Sequence, residues 1–253
     1  MSDDGLRLLA LGTGDAFSAR WYSTCVALES GGQWLLIDCP HPIRKMMAEA
    51  SQTAGVALDV DGLVGVVVTH LHADHASGLE GLGYFAFFVL GRRLPLLCHP
   101  AVAARLWEGH LAAGMEQLLP AVGEPVREMH LQDYFQPQSL DEAAPVELGP
   151  FAIECRRTIH HIPTTALRVR AGGRTLGHSA DTAYDPALIA WLSQADLVLH
   201  ETNYGVHTPF ADLAALPAAT RARMRLIHYP DQLDLEQAAR AIVPLRQGEL
   251  IRL

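Results

Sequence analysis

Residues 69–75 read Thr-His-Leu-His-Ala-Asp-His, directly after the apolar run Val-Gly-Val-Val-Val at 64–68. The apolar run predicts a buried strand, along which side chains alternate, so His70 and His72 are expected to project to the same side. Asp74 and His75 lie in the turn that follows and can face a second point nearby. Four nitrogen and oxygen donors in this arrangement favour two metal ions over one, with positions left for water and substrate.

The composition of the chain is that of a folded protein with a large core. Its 253 residues are 49% hydrophobic and 19% charged, which suits one large domain or two small ones. We expect a single domain over residues 1–253. The net charge of −9 argues against a nucleic-acid partner and against an anionic membrane surface.

The cysteines and the N-terminal segment predict a cytoplasmic protein without a membrane segment. The four cysteines, at positions 25, 39, 98 and 155, form no CxxC pair, which disfavours disulfides and thiolate zinc sites. The opening MSDDGLRLL lacks the basic start and apolar region of a signal peptide. The longest apolar stretch, near 84–90, is far shorter than the roughly 20 residues of a membrane-spanning helix.

Apolar periodicity and turn residues predict alternating strands and helices. Strands are expected at 6–11, 25–29, 33–37, 64–68, 94–97, 151–159, 166–170, 174–177, 197–200 and 226–228. Helices are expected at 43–53, 78–89, 101–113, 186–193, 217–224 and 235–243. The proline-rich segment 114–149 is where we expect an insertion over the site. Together these elements predict an α/β fold of two mixed sheets packed together, with helices outside.

The motif HxHxDH after a buried strand resembles the signature of the metallo-β-lactamase superfamily. Residues 11–14 (LGTG) and 36–39 (LIDC) are similar to the LGTG and DCG motifs of its ribonuclease Z-like and cyclic phosphodiesterase-like branch, although Pro40 replaces the glycine. Residues 200–203 (HETN) resemble the HEAT segment of that branch. The resemblance covers most of the chain and implies a four-layer αββα sandwich of two mixed β-sheets flanked by helices.

The resemblance also implies metal ligands from the second half of the chain. The later histidine falls in residues 159–163 (IHHIP), where alignment of 166–168 to a family strand favours His160 and leaves His161 as the alternative. The bridging aspartate corresponds to Asp181, and the last histidine to His228. The implied metal ligands are His70, His72, Asp74, His75, His160, Asp181 and His228. They would hold two divalent ions, with zinc favoured by the imidazoles and manganese or iron also admissible.

Three residues are candidates for roles in catalysis. Asp74 would orient the nucleophile as well as bind metal. His207 lies in the loop where similar phosphodiesterases keep a histidine that contacts the phosphate or protonates the leaving group. Glu201, like Asp38, is expected to accept a hydrogen bond that orients an imidazole. The alternatives are a surface histidine at 207 and ordinary loop carboxylates at 38 and 201.

The expected function is that of a metal-dependent hydrolase. Ribonuclease Z enzymes insert a long arm between the later histidine and the bridging aspartate, whereas 21 residues separate His160 from Asp181 here. This short interval favours a phosphodiesterase that acts on a small or cyclic phosphodiester through a metal-bridging hydroxide. The alternatives are a lactone or β-lactam hydrolase, ribonuclease Z-like RNA processing, and a metal-binding accessory protein with little turnover. A homodimer is compatible with the resemblance.

Overall fold

The computed structural model describes residues 5–253, and the first four residues of the segment used to argue against a signal peptide lie outside this range. The strands are β1 (Arg7–Gly12), β2 (Cys25–Ser30), β3 (Gln33–Ile37), β4 (Leu63–Val67), β5 (Leu94–Cys98), β6 (Gln117–Leu118), β7 (Arg127–Glu128), β8 (Phe135–Ser139), β9 (Val146–Leu148), β10 (Phe151–Arg157), β11 (Thr165–Ala171), β12 (Arg174–His178), β13 (Leu197–Glu201), β14 (Met224–Ile227), β15 (Val243–Pro244) and β16 (Leu250–Arg252). The α-helices are α1 (Ile43–Ala54), α2 (Ala73–Ala76), α3 (Leu79–Phe88), α4 (Pro100–Leu106), α5 (Ala112–Met115), α6 (Leu131–Tyr134), α7 (Pro186–Leu192), α8 (Phe210–Ala214), α9 (Ala218–Arg221) and α10 (Leu235–Ala238).

Two mixed sheets of seven strands form the centre of the described chain. The first has the order β16-β1-β2-β3-β4-β5-β8, and the second has the order β15-β14-β13-β12-β11-β10-β9. In each sheet one half is antiparallel and the other half parallel. Because the carboxyl ends of parallel strands lie at one edge of a sheet, the loops after β3, β4, β12, β13 and β14 are available to build a site there.

The core has three layers, which accounts for the continuous apolar runs of the central strands. On β3, Leu35 and Ile37 pack into the layer between the sheets. Their neighbours Trp34 and Leu36 face the opposite way, toward the layer that includes residues of α1 and α3. A third layer joins the second sheet to α7, α8 and α10. Strands buried on both faces lose the apolar–polar alternation of a half-exposed strand. The predicted four-layer α/β sandwich is confirmed.

Most predicted elements are present, and the main errors lie at the C-terminal end. The predicted helix at 235–243 ends at Ala238, because Val243 and Pro244 pair with β14 as an edge strand instead. The predicted helix at 217–224 is reduced to α9, and Met224 already belongs to β14. The helix predicted at 101–113 is divided by a π-helical turn, Trp107–Leu111, between α4 and α5.

The segment 114–149 extends both sheets. It supplies β8 to the edge of the first sheet and β9 to the edge of the second, and a small hairpin of β6 and β7 lies between α5 and α6. The ring of Tyr134, which is buried, packs against the rings of Tyr84 and Phe87 on α3. This segment therefore completes the architecture.

Two further features of the described chain concern its cysteine thiols and its helices. Cys25, Cys39, Cys98 and Cys155 are all free and buried. Burial raises the pKa of the Cys98 thiol to about 12. Among residues 5–253, every helix is too short or too polar to cross a lipid bilayer.

Candidate metal centre

Asp38 fixes the histidine-rich loop after β4. Its side chain, buried after the end of β3, accepts hydrogen bonds from the Thr69 backbone N–H (2.8 Å) and from the Thr69 hydroxyl (2.8 Å). Its Oδ2 also lies 2.8 Å from Nδ1 of His75. A protonated Nδ1 that donates to this carboxylate leaves Nε2 of His75 as the nitrogen with a free lone pair. The role of acceptor expected for Asp38 agrees with this geometry.

Three imidazole nitrogens converge at the end of the first sheet. Nδ1 of His72 lies 3.1 Å from Nε2 of His70 and 3.2 Å from Nε2 of His160. Asp181 Oδ2 is 3.6 Å from Nε2 of His70 and 3.6 Å from Nε2 of His160. Ligands of a tetrahedral zinc ion with bonds of about 2.0–2.1 Å lie roughly 3.3 Å apart, so this group of four matches one ion.

A second group of donors lies on the other side of Asp181. Asp74 Oδ2 is 3.3 Å from Nε2 of His75 and 3.1 Å from Nε2 of His228. Asp181 Oδ1 is 3.3 Å from Nε2 of His75, and Asp181 Oδ2 is 3.6 Å from Nε2 of His228. The Asp181 carboxylate therefore lies within reach of both groups, which is the arrangement expected of a bridging ligand.

Unpaired polar atoms in the cluster test whether a cation fits. Nε2 of His75 and Oδ1 of Asp181 are both buried, and neither has a hydrogen-bond partner. An unsatisfied buried polar atom costs about 1–3 kcal/mol, so native proteins rarely keep one without a function. Two such atoms at the meeting point of five histidines and two aspartates fit a divalent cation. The protein is thus built to bind divalent metal.

The pKa values of the cluster are consistent with this conclusion. Burial lowers the pKa of His70 well below its usual value and that of His160 to about 4, so both imidazoles are neutral and free to ligate. Burial opposes the charged form of His228 as well, yet the adjacent Asp181 raises its pKa to about 9. Burial likewise disfavours charged His75, but Asp181 and Asp38 raise its pKa. Divalent cations would take the place of these protons.

Backbone strain is concentrated at the same strand ends. Among non-glycine residues of the described chain, positive φ occurs at Asp38 (62°), Ala180 (49°) and His228 (52°). Such a conformation costs of order 1–3 kcal/mol and is kept where the surroundings require it. Asp38 holds the loop after β4, Ala180 precedes Asp181, and His228 is itself in the cluster. The strained backbone at these three positions therefore helps to orient the donor side chains.

The structure distinguishes the two adjacent histidines at 160 and 161. The side chain of His160 is 1% exposed and its ring centre lies 4.9 Å from that of His72, whereas the ring of the exposed His161 is 6.4 Å away. The strand predicted at 151–159 ends at Arg157, so the pair lies in a turn closed by the Thr158 N–H to Thr164 carbonyl bond. Local turn geometry, not strand alternation, separates the two side chains. Ligation by His160 stays a prediction.

Glu201 and His207 form a pair beside the cluster. Glu201, at the end of β13, is buried, and its Oε1 accepts hydrogen bonds from the Thr182 backbone N–H (2.8 Å) and Nδ1 of His207 (2.9 Å). With Nδ1 engaged, Nε2 is the His207 nitrogen left for a ligand. Burial raises the pKa of Glu201. Burial would lower the pKa of His207, but the bond to Glu201 raises it.

A cavity of about 310 Å³ opens above the metal-binding cluster. Its lining residues are Ala16, Phe17, His72, Ala73, Asp74, His160, His161, Asp181, Asn203, His207 and His228. None of them belongs to segment 114–149, so the prediction of an insertion over the site at this segment is wrong. Ala16 and Phe17, in the loop after β1, lie there instead. Sequence reasoning missed Phe17 and Asn203, because an exposed aromatic and an amide in loops follow no metal-ligand spacing.

Comparison with known proteins identifies the family. The family model described as "Anti-Pycsar protein Apyc1" matches residues 6–250 of the chain. The chain belongs to the Anti-Pycsar protein Apyc1 family. An Anti-Pycsar protein Apyc1 from Bacillus phage 010DV004 is 32% identical over 244 residues, which cover 90% of this chain and 91% of the phage protein.

Solved structures confirm the fold. The metallo-β-lactamase fold protein YhfI from Bacillus subtilis aligns with a TM-score of 0.79 at 17% identity, over 98% of this chain and 100% of YhfI. The short form of human tRNase Z aligns with a TM-score of 0.68 at 20% identity, over 97% of this chain and 98% of that one. These likenesses confirm the metallo-β-lactamase fold that the sequence resemblance implied.

Family membership corrects the function expected from the sequence. The prediction of an enzyme, a metal-dependent hydrolase, is confirmed. The function as predicted, a hydrolase for an unspecified small or cyclic phosphodiester, is wrong, because the relatives have the specific role of Anti-Pycsar proteins. The alternatives of lactone or β-lactam hydrolysis, ribonuclease Z-like RNA processing and an accessory protein are not supported by this match. The error arose because metal ligands specify a chemistry and not a biological role.

Proposed function

We propose that this protein is an anti-Pycsar enzyme that degrades a cyclic nucleotide signal to its linear nucleotide. The observation that carries the proposal is the cavity with the metal-type donor cluster at its floor, in a chain of the Anti-Pycsar family. A volume of about 310 Å³ suits a small ligand and is at the lower end of ligand pockets, which span roughly 300–1,000 Å³. The net charge of −9 also favours a small substrate over a nucleic acid.

In this proposal two divalent ions occupy the cluster, and zinc is favoured by the imidazole-rich donor set. His70, His72 and His160 would hold the first ion, while Asp74, His75 and His228 would hold the second. Asp181 would be shared between them. When bound, the ions supply positive charge beside the phosphate and activate water for attack at phosphorus.

The remaining residues would position the reacting groups. Asp74 lines the cavity as well as the cluster, so its carboxylate can accept a hydrogen bond from the attacking water. Glu201 holds His207 through Nδ1, so that Nε2 of His207 can donate a proton to the oxygen that leaves phosphorus. The same carboxylate restrains the Thr182 backbone next to Asp181. The buried Glu201 carboxylate thus connects His207, the proposed proton donor, to the backbone beside Asp181, the proposed shared ligand.

Three further features belong to the same proposal. Residues 1–253 would act as a single domain, because the two halves of the candidate ligand set come from the two packed sheets. The protein would work in the cytoplasm, a reducing compartment that suits four free buried thiols. It would form a homodimer, as its resemblance to ribonuclease Z-like proteins allows.

Turnover of defined nucleotides tests the proposal. The purified protein would be loaded with zinc or manganese and incubated with the 3′,5′-cyclic forms of adenosine, guanosine, cytidine and uridine monophosphate. We expect linear mononucleotides by chromatography, and no product after chelation of the metal. Asp212→Ala, an exposed position on α8, is the matched control for variants of the cluster. Full metal loading without any linear product would refute the proposed function.

A further inference from the structure

We propose that Phe17 is a specificity-determining residue whose ring stacks on the base of the nucleotide. This inference rests on the proposed function, since it supplies the half of the substrate that the metal-binding cluster does not recognise. Phe17 lines the cavity together with Asp74, His160 and His207. The phosphate would bind at the cluster, so an aromatic ring elsewhere on the cavity wall is available for the base.

The exposure of Phe17 is the first observation. Its side chain is 91% exposed, although phenylalanine is usually buried and the chain has seven of them. A single exposed apolar residue on a surface needs no explanation, but this one borders a cavity floored by histidines and aspartates. A flat ring in that place offers a stacking surface to any flat ligand that enters.

The backbone around Phe17 is held in place by the neighbouring Asp15 and by two side chains from distant parts of the chain. Asp15, which is buried, accepts a hydrogen bond from the Phe17 backbone N–H (3.0 Å) through Oδ1. Its Oδ2 accepts a hydrogen bond from Nδ2 of Asn203 (3.0 Å), which ties the loop to the segment after β13. On the other side, the Ser18 hydroxyl donates to Asp231 Oδ1 (2.6 Å), and the Ala19 backbone N–H donates to Asp231 Oδ2 (2.9 Å).

This network matters because it orders an exposed residue in advance. Two carboxylates and an amide, from three separate segments, hold the loop on both sides of the ring. Because the backbone that carries the ring is already fixed, the loop has little left to order when a ligand binds, so more of the stacking energy remains as affinity. The Gly14 position contributes too, since a Cβ there would lie 2.7 Å from Ser18 Cβ and displace the turn. The loop is thus arranged to present the ring.

Steady-state kinetics of Phe17 variants test the proposal. Removing an aromatic ring from under a base costs about 1–3 kcal/mol, so we expect Phe17→Ala to raise KM for a cyclic nucleotide about five-fold or more. Because the cluster is unchanged, kcat should stay within about two-fold. Phe17→Trp should keep the low KM, whereas Phe17→Leu, which preserves apolar area without the ring face, should resemble Phe17→Ala.

A substrate without a base separates stacking from a general effect on the site. For the methyl glycoside of ribose 3′,5′-cyclic phosphate, Phe17→Ala should leave KM unchanged. Phe88→Ala removes another ring, 57% exposed and away from the cavity, and serves as the matched control with no change on either substrate. An equal rise in KM on both substrates, or no rise on the nucleotide, would overturn the inference.

Equilibrium binding distinguishes failure of this inference from failure of the proposed function. Calorimetric titration with nucleoside 5′-monophosphates requires no turnover. If the wild-type protein cleaved no cyclic nucleotide, the proposed function would fail. Weaker mononucleotide binding by Phe17→Ala than by wild type would then still support stacking. Equal binding by both proteins would refute stacking regardless of any turnover.

Discussion

The two sheets contribute to the metal-binding cluster in different ways. The first sheet supplies four donors from one segment of six residues, 70–75, which follows β4 and runs into α2. The second sheet supplies His160, Asp181 and His228, which follow three different strands and converge only through the order of those strands. A contiguous set depends on one turn, whereas a dispersed set depends on the register of a whole sheet. Displacement of the three donors from the second sheet should therefore impair metal binding more than displacement of those from the first.

The largest expected effect is removal of the carboxylate that both groups share. Asp181→Ala should abolish both turnover and metal content, since the carboxylate lies within 3.6 Å of Nε2 of His70, His160 and His228. His72→Ala should have the same result from the first sheet. Elemental analysis and kinetics on protein purified without added metal provide the measurement. Full activity in either variant would contradict the assignment of these ligands.

The next effect tests the support of the contiguous loop. Asp38→Asn keeps the size of the side chain but weakens its bond to Nδ1 of His75, so metal affinity should fall about 10–100-fold. Metal titration with a competing chelator measures this change. Asp61→Asn, at an exposed position before β4, is the matched control and should bind metal as the wild type does. Unaltered affinity in Asp38→Asn would show that the loop holds its shape without this carboxylate.

A smaller effect is expected when the support of the second sheet is weakened. Glu201→Gln preserves an acceptor for the Thr182 N–H but removes the negative charge that orients His207. We expect kcat to fall about ten-fold, within the usual contribution of general acid catalysis, while metal content stays constant. Glu236→Gln, exposed on α10, is the control. Parallel loss of metal and activity would assign Glu201 to metal binding instead.

The smallest expected effect on metal affinity distinguishes the two adjacent histidines, His160 and His161. His161→Ala should change metal affinity by no more than roughly two-fold, as is typical of surface substitutions. His160→Ala should lose metal from the first group of donors, because its Nε2 lies 3.2 Å from Nδ1 of His72. The two variants can be compared in one elemental analysis. Loss of metal in His161→Ala alone would reverse the prediction.

The same contrast explains which features the sequence could reveal. The donors at 70–75 could be predicted from the sequence because they are neighbours in the chain and the strand before them is strongly apolar. The family resemblance pointed to Asp181 and His228, which no local pattern joins to that loop. The helix expected at 235–243 failed because pairing of Val243 with Arg225 outweighs helical periodicity. Phe17 could not be predicted, since only the folded chain brings Asn203 and Asp231 to the loop that contains it.

Because all four thiols are buried, their reaction with an added reagent reports unfolding of the protein. A thiol-reactive dye should find nothing to label in the native protein and four sites once the chain is unfolded. Cys25 and Cys39 flank the hairpin of β2 and β3 on the first sheet, while Cys155 belongs to the second, so mass spectrometry of partly labelled protein would report which sheet loosens first. A comparison of labelling with and without metal would then show whether bound ions stabilise both sheets or only one.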